Sequence, residues 1–296
     1  LYWLADALLL HDITHYMYHQ KVSFGKSLKV GLIGLYYCAL TPSSTGGQPM
    51  QVVYMRRDGI PVGTATSIVS IKFVIYELSL CTLYIAGMCL RGSYFYTYHN
   101  EAFWLAVLGF VINLIAVLVI ILTIVNKKLV LKIGCGVISL LARFKIVKKK
   151  EQTIENFGHT IEDYHEAATY ISKHKLRAFG SFWISVINLS FLFIIPCLIY
   201  LSFGYSAGSV LDFFTMEAML FLAVSFFPLP GAAGASEGGF LLFFGPFFLA
   251  ATGVAMLMWR FLTYYMMLIV GSLIVVFDEV ISLKRIKKAQ ESGASE

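Results

Sequence analysis

Charged residues are scarce in this chain of 296 residues: they make up 14%, against 58% hydrophobic residues. So few charges exclude a disordered chain and argue against an ordinary soluble enzyme. Cysteine is sparse too, and its five residues show no CxxC spacing, so neither a disulfide framework nor a zinc site is indicated. No Walker loop, HExxH motif or dinucleotide fingerprint is recognisable. Apolar and aromatic residues dominate instead, which is typical of a polytopic membrane protein.

Five apolar stretches approach the roughly 20 residues that a helix needs to cross a hydrocarbon layer. We predict spans at 1–19, 61–90, 101–126, 176–203 and 251–277. Two further apolar regions, 26–57 and 209–250, are interrupted near their middle by segments rich in Pro, Gly and small residues. Each interruption leaves two arms, several of which are too short to cross a membrane alone.

Lysine and arginine fall into four clusters, at 21–29, 56–57, 127–177 and 284–288. If all four face the cytosol, region 26–57 must enter from the cytosol and return, and region 209–250 must do the same from outside. We therefore predict an all-α membrane protein with two re-entrant helical hairpins and a cytosolic C-terminus. In the alternative, both regions cross fully with a kink, and the basic clusters are divided between the two faces.

The order of these segments predicts an inverted repeat. The first half, 1–90, reads span, inner hairpin, span, and the second half, 101–277, reads two spans, outer hairpin, span. The first half lacks one leading helix, so we expect a further span before Leu1. Inverted repeats with interrupted helices recur in transporters, which bind substrate near the midplane. The domains expected are a transmembrane domain over 1–283, containing a cytosolic amphipathic insert at 127–175, and a basic and polar tail at 284–296.

The two interruptions supply the candidate site. Irregular backbone at membrane depth is tolerated where it is buried in protein or lines a watery cavity. The first N–H groups of each second arm lack intrahelical partners, so they can hold a phosphate or a carboxylate. The alternative is that the same groups only cap buried helix ends. The candidate substrate-binding residues are Ser43, Ser44, Thr45, Gly46, Gly47, Gln48 and Pro49 at the first interruption, and Pro230, Gly231, Gly234, Ser236 and Glu237 at the second.

Lys72, Glu77 and Arg260 lie inside predicted spans, where charged residues are costly and often functional. Lys72 and Arg260 follow the two hairpins in equivalent spans, so both could neutralise a lipid phosphate at a central site. They could instead form structural pairs with Glu77, Glu217 or Glu237. Three other carboxylates are expected nearer a membrane interface: Asp6, Asp12 and Asp212.

His11, His15 and His19 recur at helical spacing beside Asp12, an arrangement that could bind a metal. Amphipathic side chains at the cytosolic end of a span explain the same spacing. We therefore predict neither a metal nor a cofactor.

The segments TPSSTGGQP at 41–49 and PLPGAAGASEGG at 228–239 together resemble the paired signatures of the lysylphosphatidylglycerol synthase transmembrane-region family. This is the flippase-like domain of the bacterial multiple peptide resistance factor, and the resemblance runs from Leu1 to about Val280. It implies a domain that carries an aminoacylated lipid, such as lysyl-phosphatidylglycerol, across the bacterial cytoplasmic membrane, which gives resistance to cationic antimicrobial peptides. It also implies that 43–49 and 230–237 line the substrate cavity. Because the chain continues only briefly after its last predicted span, we expect the flippase half without the family's transferase domain.

Three functions remain open at this point. The first is a phospholipid translocator, running downhill or coupled to an ion or to the membrane potential. The second is a membrane enzyme that modifies a lipid or lipid-linked sugar, for which Glu237 with Glu77 or Asp212 would supply an acid/base pair. The third is an accessory protein that docks a separate lipid synthase through 127–175. Large apolar surfaces also suit a homodimer, and no nucleic-acid partner is expected despite a net charge of +6.

Overall fold

A computed structural model describes residues 1–18, 21–98, 100–143, 150–225 and 227–293, and nearly all of them are helical. Within those ranges no β-strand occurs, as expected for an all-α membrane protein. The helices are α1 (Tyr2–Met17), α2 (Phe24–Leu40), α3 (Gly47–Arg57), α4 (Val62–Tyr98), α5 (Asn100–Arg143), α6 (Lys150–Lys173), α7 (Lys175–Phe193), α8 (Ile195–Ser202), α9 (Val210–Val224), α10 (Ala235–Phe248), α11 (Thr252–Arg260) and α12 (Met266–Gly293). A 3₁₀ turn (Leu249–Ala251) joins α10 to α11, and a π-helix (Phe261–Tyr265) joins α11 to α12.

Three helical stretches in the described residues are long and apolar enough to cross a membrane: Val62–Thr97, Lys175–Ser202 and Ala235–Ile281. The predicted span 101–126 contains a shorter apolar helix, Phe103–Val119, and α1 has 16 residues. By length and composition, therefore, three stretches qualify where five spans were expected.

The stretch Ala235–Ile281 reverses direction at Leu249, whose φ is 50°. The ring centroids of Phe240 and Trp259 are 5.1 Å apart. In a straight helix these residues would be separated by about 28 Å, at 1.5 Å of rise per residue. Hence α11 packs back along α10, and this reversal coincides with the predicted boundary between 209–250 and 251–277.

In each interrupted region, the start of the first arm lies beside the end of the second. Lys29 Nζ, near the start of α2, is 3.4 Å from Asp58 Oδ1, which directly follows α3. The rings of Phe213, near the start of α9, and Phe248, the last residue of α10, are 6.1 Å apart. The chain therefore returns, after each interruption, to the end of the molecule from which it came.

Charged contacts gather several helix ends at one end of the molecule, which we call the basic end. Besides Asp58, Lys29 Nζ contacts Asp278 Oδ1 of α12 at 3.0 Å. The Arg177 guanidinium at the start of α7 lies 3.8 Å from the centroid of the Tyr16 ring near the end of α1. Stretches adjoining each of the four basic clusters thus meet at this end.

The insert is built from the second part of α5 and from α6. The backbone of α5 is kinked at Asn126, with φ of −153° and ψ of 76°, and the Asn126 side chain accepts a hydrogen bond from the amide of Leu129 at 3.0 Å. This amide is one that the kink leaves without an intrahelical partner. Beyond the kink, Lys127 forms an exposed ion pair with Glu162 of α6, and the hydrogen bond from its ammonium group lowers the pKa of the Glu162 carboxyl.

The apolar face of α6 packs against the chain itself. Ile161 is buried, and a methyl group on Gly134 of α5 would overlap the ring of Phe157. Ser67 of α4 donates a hydrogen bond to Glu166 at 2.8 Å. Helices α4 and α5 therefore cover part of the apolar face of α6, which lies in the insert through which one of the three open functions would dock a separate synthase.

Gly109 lets α5 approach α9 closely, since a methyl group there would lie 2.5 Å from the carbonyl oxygen of Leu222. We expect Gly109→Ala to lower the free energy of unfolding by about 1–3 kcal/mol, because backbone atoms must move apart. The matched control is Gly136→Ala on the same helix, where the added methyl meets open space. That variant should be neutral or stabilising by up to about 1 kcal/mol. Thermal unfolding in detergent micelles measures both, and equal losses would contradict the packing described.

Candidate functional site

The two interruptions, which we call the first and second breaks, share positive φ at the two residues after the aligned prolines, Pro42 and Pro230, and differ at Gly46 and Gly234, whose φ are −83° and 82°. Ser43 and Ser44 have φ of 49° and 55°, and Gly231 and Ala232 have φ of 58° and 49°. The amide of Ser44 bonds the carbonyl three residues earlier at 3.2 Å, and the amide of Ala232 does the same at 2.9 Å. Positive φ costs an L-residue about 1–3 kcal/mol and persists where the surrounding structure enforces it. Ser43, Ser44 and Ala232 bear that cost, whereas Gly231, a glycine, does not.

The breaks contact each other. Pro42 and Pro230 form an isolated antiparallel backbone bridge. Tyr264, in the π-helix, contacts both sides: its hydroxyl donates to the carbonyl of Ala39 at 3.3 Å, and its ring packs against Gly231 so tightly that a methyl group there would overlap it. A π-helix often marks a functional position in a helix. The geometry therefore joins both predicted segments into one place.

At the first break, two threonines stabilise the turn and two serines remain free. Thr41 accepts a hydrogen bond from the amide of Gly46 at 2.8 Å, and Thr45 donates to the carbonyl of Pro42 at 3.0 Å. The hydroxyls of Ser43 and Ser44 make no hydrogen bond to the described part of the chain, and both side chains are exposed. These two hydroxyls are available to a ligand.

Gly47, Gln48 and Pro49, which follow this turn, are less available to a ligand than the two serines or offer no donor. Gly47 is buried against Cys38, and a methyl group would overlap the sulfur, so packing explains this glycine. Gln48 is half-buried, and Pro49 is exposed in the first turn of α3, where its missing N–H costs nothing.

At the second break, Glu237 and Arg260 hold the turn together. Arg260 Nε donates to Glu237 Oε1 at 2.6 Å, and its Nη2 donates to the carbonyl of Gly231 at 2.9 Å. The other carboxylate oxygen of Glu237 accepts from the amide of Gly234 at 2.6 Å, and the hydroxyl of Ser236 donates to Gly231 at 3.3 Å. Arg260 is 5% exposed, so this pair organises the break from within.

The two breaks differ in one chemical respect. Glu237 places a carboxylate at the start of α10, where it accepts from the amide of Gly234 directly before the helix and where negative charge is favoured. Aligning Pro42 with Pro230 places Pro49 opposite Glu237, so the first turn of α3 has no such carboxylate. An anion is therefore already present at the second break as a side chain, and the corresponding position at the first is open.

Lys72 also forms an ion pair, and its partner is Asp6, which was expected near a membrane interface. Its Nζ lies 2.7 and 2.8 Å from the two oxygens of Asp6, and both residues are buried. Lys72 follows Pro42 at the same sequence separation as Arg260 follows Pro230. Asp6 is thus an ion-pair partner of Lys72 that sequence reasoning missed. The signal available was a lone carboxylate within the apolar run of α1.

The carboxylates named for an acid/base pair each have a different partner. Glu77 accepts from Asn113 Nδ2 at 2.7 Å, Asp212 lies 2.8 Å from Arg91, and Glu237 binds Arg260. The structure thus assigns the three carboxylates to separate contacts and does not bring Glu77 into the site at the breaks.

The histidine spacing does not form a metal site in the described residues. His11 Nδ1 lies 3.3 Å from the hydroxyl of Ser27, and the His11 and His15 rings are 6.4 Å apart. His19 falls outside the described residues. No group of three or more His, Cys, Asp or Glu side chains in those residues could hold a metal ion.

Helices of this length and hydropathy, with two breaks meeting among them, define a membrane-embedded helical protein. The family described as the lysylphosphatidylglycerol synthase TM region matches residues 1–271, and the chain belongs to this family. The resemblance is therefore confirmed. The chain is similar to a UPF0104 membrane protein of Archaeoglobus fulgidus, with 23% identity over 280 residues, which cover 94% of this chain and 83% of that protein. No solved structure matches the chain.

Proposed function

We propose that the two breaks are the tips of re-entrant hairpins that enter from opposite membrane faces and form an inverted repeat. Contacts between Lys29 and Asp58, and between Phe213 and Phe248, support a return of each region to its own face. The positive φ shared by the two residues after Pro42 and after Pro230, and the matching positions of Lys72 and Arg260, support the repeat. In this arrangement the basic end is cytosolic, by the positive-inside rule, and the C-terminus lies there.

On this architecture, the chain translocates a phospholipid between leaflets, and the headgroup phosphate binds at the first break. The observation that carries the proposal is the contact of two non-helical breaks beside the free hydroxyls of Ser43 and Ser44. Those hydroxyls, with the amide of Gln48 in the first turn of α3, suit a phosphate, since the amide of Gly46 is already bonded to Thr41 and Pro49 has no N–H. The Glu237 carboxylate at the second break would face the ammonium groups of an aminoacylated headgroup.

Lysyl-phosphatidylglycerol is the lipid that fits this pairing best, since it joins a phosphate to a cationic lysyl group. The family's name supports the same choice. Carriage of this lipid to the outer leaflet of a bacterial cytoplasmic membrane would reduce negative surface charge and give resistance to cationic antimicrobial peptides. The membrane potential acts directly on such a charged headgroup, and it changes the free energy of crossing by about 2.3 kcal/mol per charge per 100 mV.

The test is leaflet exchange of headgroup-labelled lipids in proteoliposomes that contain the full chain. The double variant Ser43→Gly, Ser44→Gly removes both hydroxyls and relieves the positive-φ strain, so the backbone of the break is retained. We expect exchange of lysyl-phosphatidylglycerol to fall at least about tenfold, because hydrogen bonds to a charged group are worth about 1.5–3 kcal/mol each.

Ala232→Gly is the matched control. It relieves the same strain at the equivalent position of the second break and removes no hydrogen-bonding group. Exchange that is unchanged in the control and lost in the double variant supports a phosphate site at the first break. Exchange that the double variant leaves intact would place the headgroup elsewhere, and folded protein that exchanges no lipid would refute translocation.

The other two functions have less support. A docking partner would have to displace α6 from α4 and α5 to reach its apolar face. An enzyme would need two cooperating acid/base groups, and Glu237, Glu77 and Asp212 have separate partners.

A further inference from the structure

Glu217 is a buried carboxylate that the site described above does not use. It lies on α9, is 2% exposed, and contacts Trp259, which belongs to the large apolar core that also includes Phe240. One oxygen, Oε1, accepts a hydrogen bond from the indole N–H of Trp259 at 2.9 Å. The other oxygen, Oε2, is buried without a hydrogen-bond partner.

No cation pairs with this carboxylate among the described residues. Arg260, which follows Trp259 in α11, is the charged group that acts on Glu217, but its guanidinium is held by Glu237 and Gly231. Around α9, the other charged groups that the structure describes are already engaged, and three hydroxyls are buried without a partner: those of Tyr84 on α4, Thr215 on α9 itself and Ser185 on α7. The engaged groups are Arg91 of α4 with Asp212 of α9 itself, Glu77 of α4 with Asn113 of α5, and Glu237 of α10 with Arg260.

An ionised carboxylate in apolar surroundings is costly without a cation or several donors. Glu217 has one donor, so the arrangement suits the neutral acid, whose proton resides on Oε2. A metal ion would need several convergent oxygen ligands, and the described residues offer no group of acidic, His or Cys side chains that could hold one. The ligand that fits a single free oxygen is a proton.

The same carboxylate is connected to the second break. Trp259 and Arg260 are consecutive residues that precede the π-helix. Trp259 contacts Glu217, and Arg260 contacts Glu237 and Gly231. If Glu217 loses its proton, the nearest source of compensation is Arg260, and drawing that guanidinium toward Glu217 would release Glu237 and the turn at Gly231.

We propose that Glu217 is a proton-binding site coupled to the second break through Trp259 and Arg260, so that lipid movement is linked to proton movement. The step is an acid–base equilibrium, in which the carboxylate takes one proton from water and returns it, with no redox partner. The link to lipid rests on the proposed translocation, whereas the proton site does not.

Infrared difference spectroscopy across a pH titration tests the site itself, on the full chain in lipid bilayers. We expect a carbonyl band of a protonated carboxylic acid that Glu217→Gln abolishes. Glutamine retains an acceptor for the Trp259 indole, and a thermal melt verifies that the variant is folded. Glu77→Gln, which changes another largely buried carboxyl, is the matched control and should retain the band. A wild-type spectrum without the band, or a band that survives Glu217→Gln, would overturn the proposal.

Coupling is tested in proteoliposomes with the membrane potential clamped at zero and a pH gradient imposed. If one proton accompanies each lipid, the leaflet distribution of labelled lysyl-phosphatidylglycerol should shift about tenfold per pH unit. Glu217→Gln should abolish this shift. If the leaflet distribution in the wild type did not change with the pH gradient, the coupling would be overturned. If the Glu217 band is present but no lipid exchanges at all, the proton site stands and translocation is refuted.

Discussion

Asp6→Leu is expected to lower the free energy of unfolding by about 3–5 kcal/mol, because it leaves the buried Lys72 ammonium without its counter-charge. Both side chains are largely shielded, with 6% and 11% of their surfaces exposed, and the ion pair joins α1 to α4 at 2.7 Å. Thermal unfolding in detergent micelles, read as a double-mutant cycle, measures the loss.

Adding Lys72→Leu to that variant should restore stability to within about 1 kcal/mol of the wild type, since two apolar side chains often replace a buried pair at little cost. An exposed pair provides the control: Glu279→Gln breaks the contact with Arg57, where both side chains are more than 40% exposed, and should cost at most about 1 kcal/mol. If Asp6→Leu were as mild as Glu279→Gln, the burial of the Asp6–Lys72 pair would be wrong.

Arg260→Leu should reduce lipid exchange by more than about a hundredfold. The change leaves the Glu237 carboxylate and the carbonyl of Gly231 without their shared donor, and losing a buried charged partner costs about 3–5 kcal/mol, where each 1.4 kcal/mol is tenfold. The second break would then lose the conformation that lets it meet the first. Exchange in proteoliposomes measures the effect, alongside a melt that verifies folding.

Two further variants separate shape from charge. Arg260→Lys retains the charge but not the planar group that reaches two acceptors at once, so exchange should be intermediate. Arg91→Leu breaks an ion pair with the buried Asp212, away from the breaks, so it should lower stability but leave exchange within about threefold of the wild type after correction for folded protein. An Arg260→Leu variant that exchanges lipid normally would show that the pair with Glu237 does not organise the site.

Hydropathy and helix-breaking residues predicted much of this architecture. The helical membrane class follows from composition, and the breaks follow from Thr41–Pro49 and Pro228–Gly239, because Pro and Gly are poorly tolerated inside helices. Family membership followed from the same two segments. Span lengths were less predictable, because the helix ends depend on where the chain reverses. The reversal at Leu249 requires a positive φ, and nothing in the sequence marks a leucine for that conformation.

Partners across helices were the part that sequence could not specify. Glu237 was one of three carboxylates considered for Arg260, and only the rotation of α10 against α11 decides between them. Asp6 was expected near an interface, whereas its depth depends on how α1 packs against α4. The unpartnered oxygen of Glu217 is likewise a property of packing, since it requires that Arg260 be committed elsewhere.

The pairing of Pro42 with Pro230 also bears on how easily the two breaks can separate. The bridge is not extended into a β-ladder, because the residues after each proline, Ser43 and Ser44 in one break and Gly231 and Ala232 in the other, have positive φ and leave the extended conformation. The backbone pairing between the breaks is therefore limited to these two residues, and the turns on either side are stabilised by hydrogen bonds within their own halves. The two breaks can therefore separate and meet again without unwinding a helix in either half.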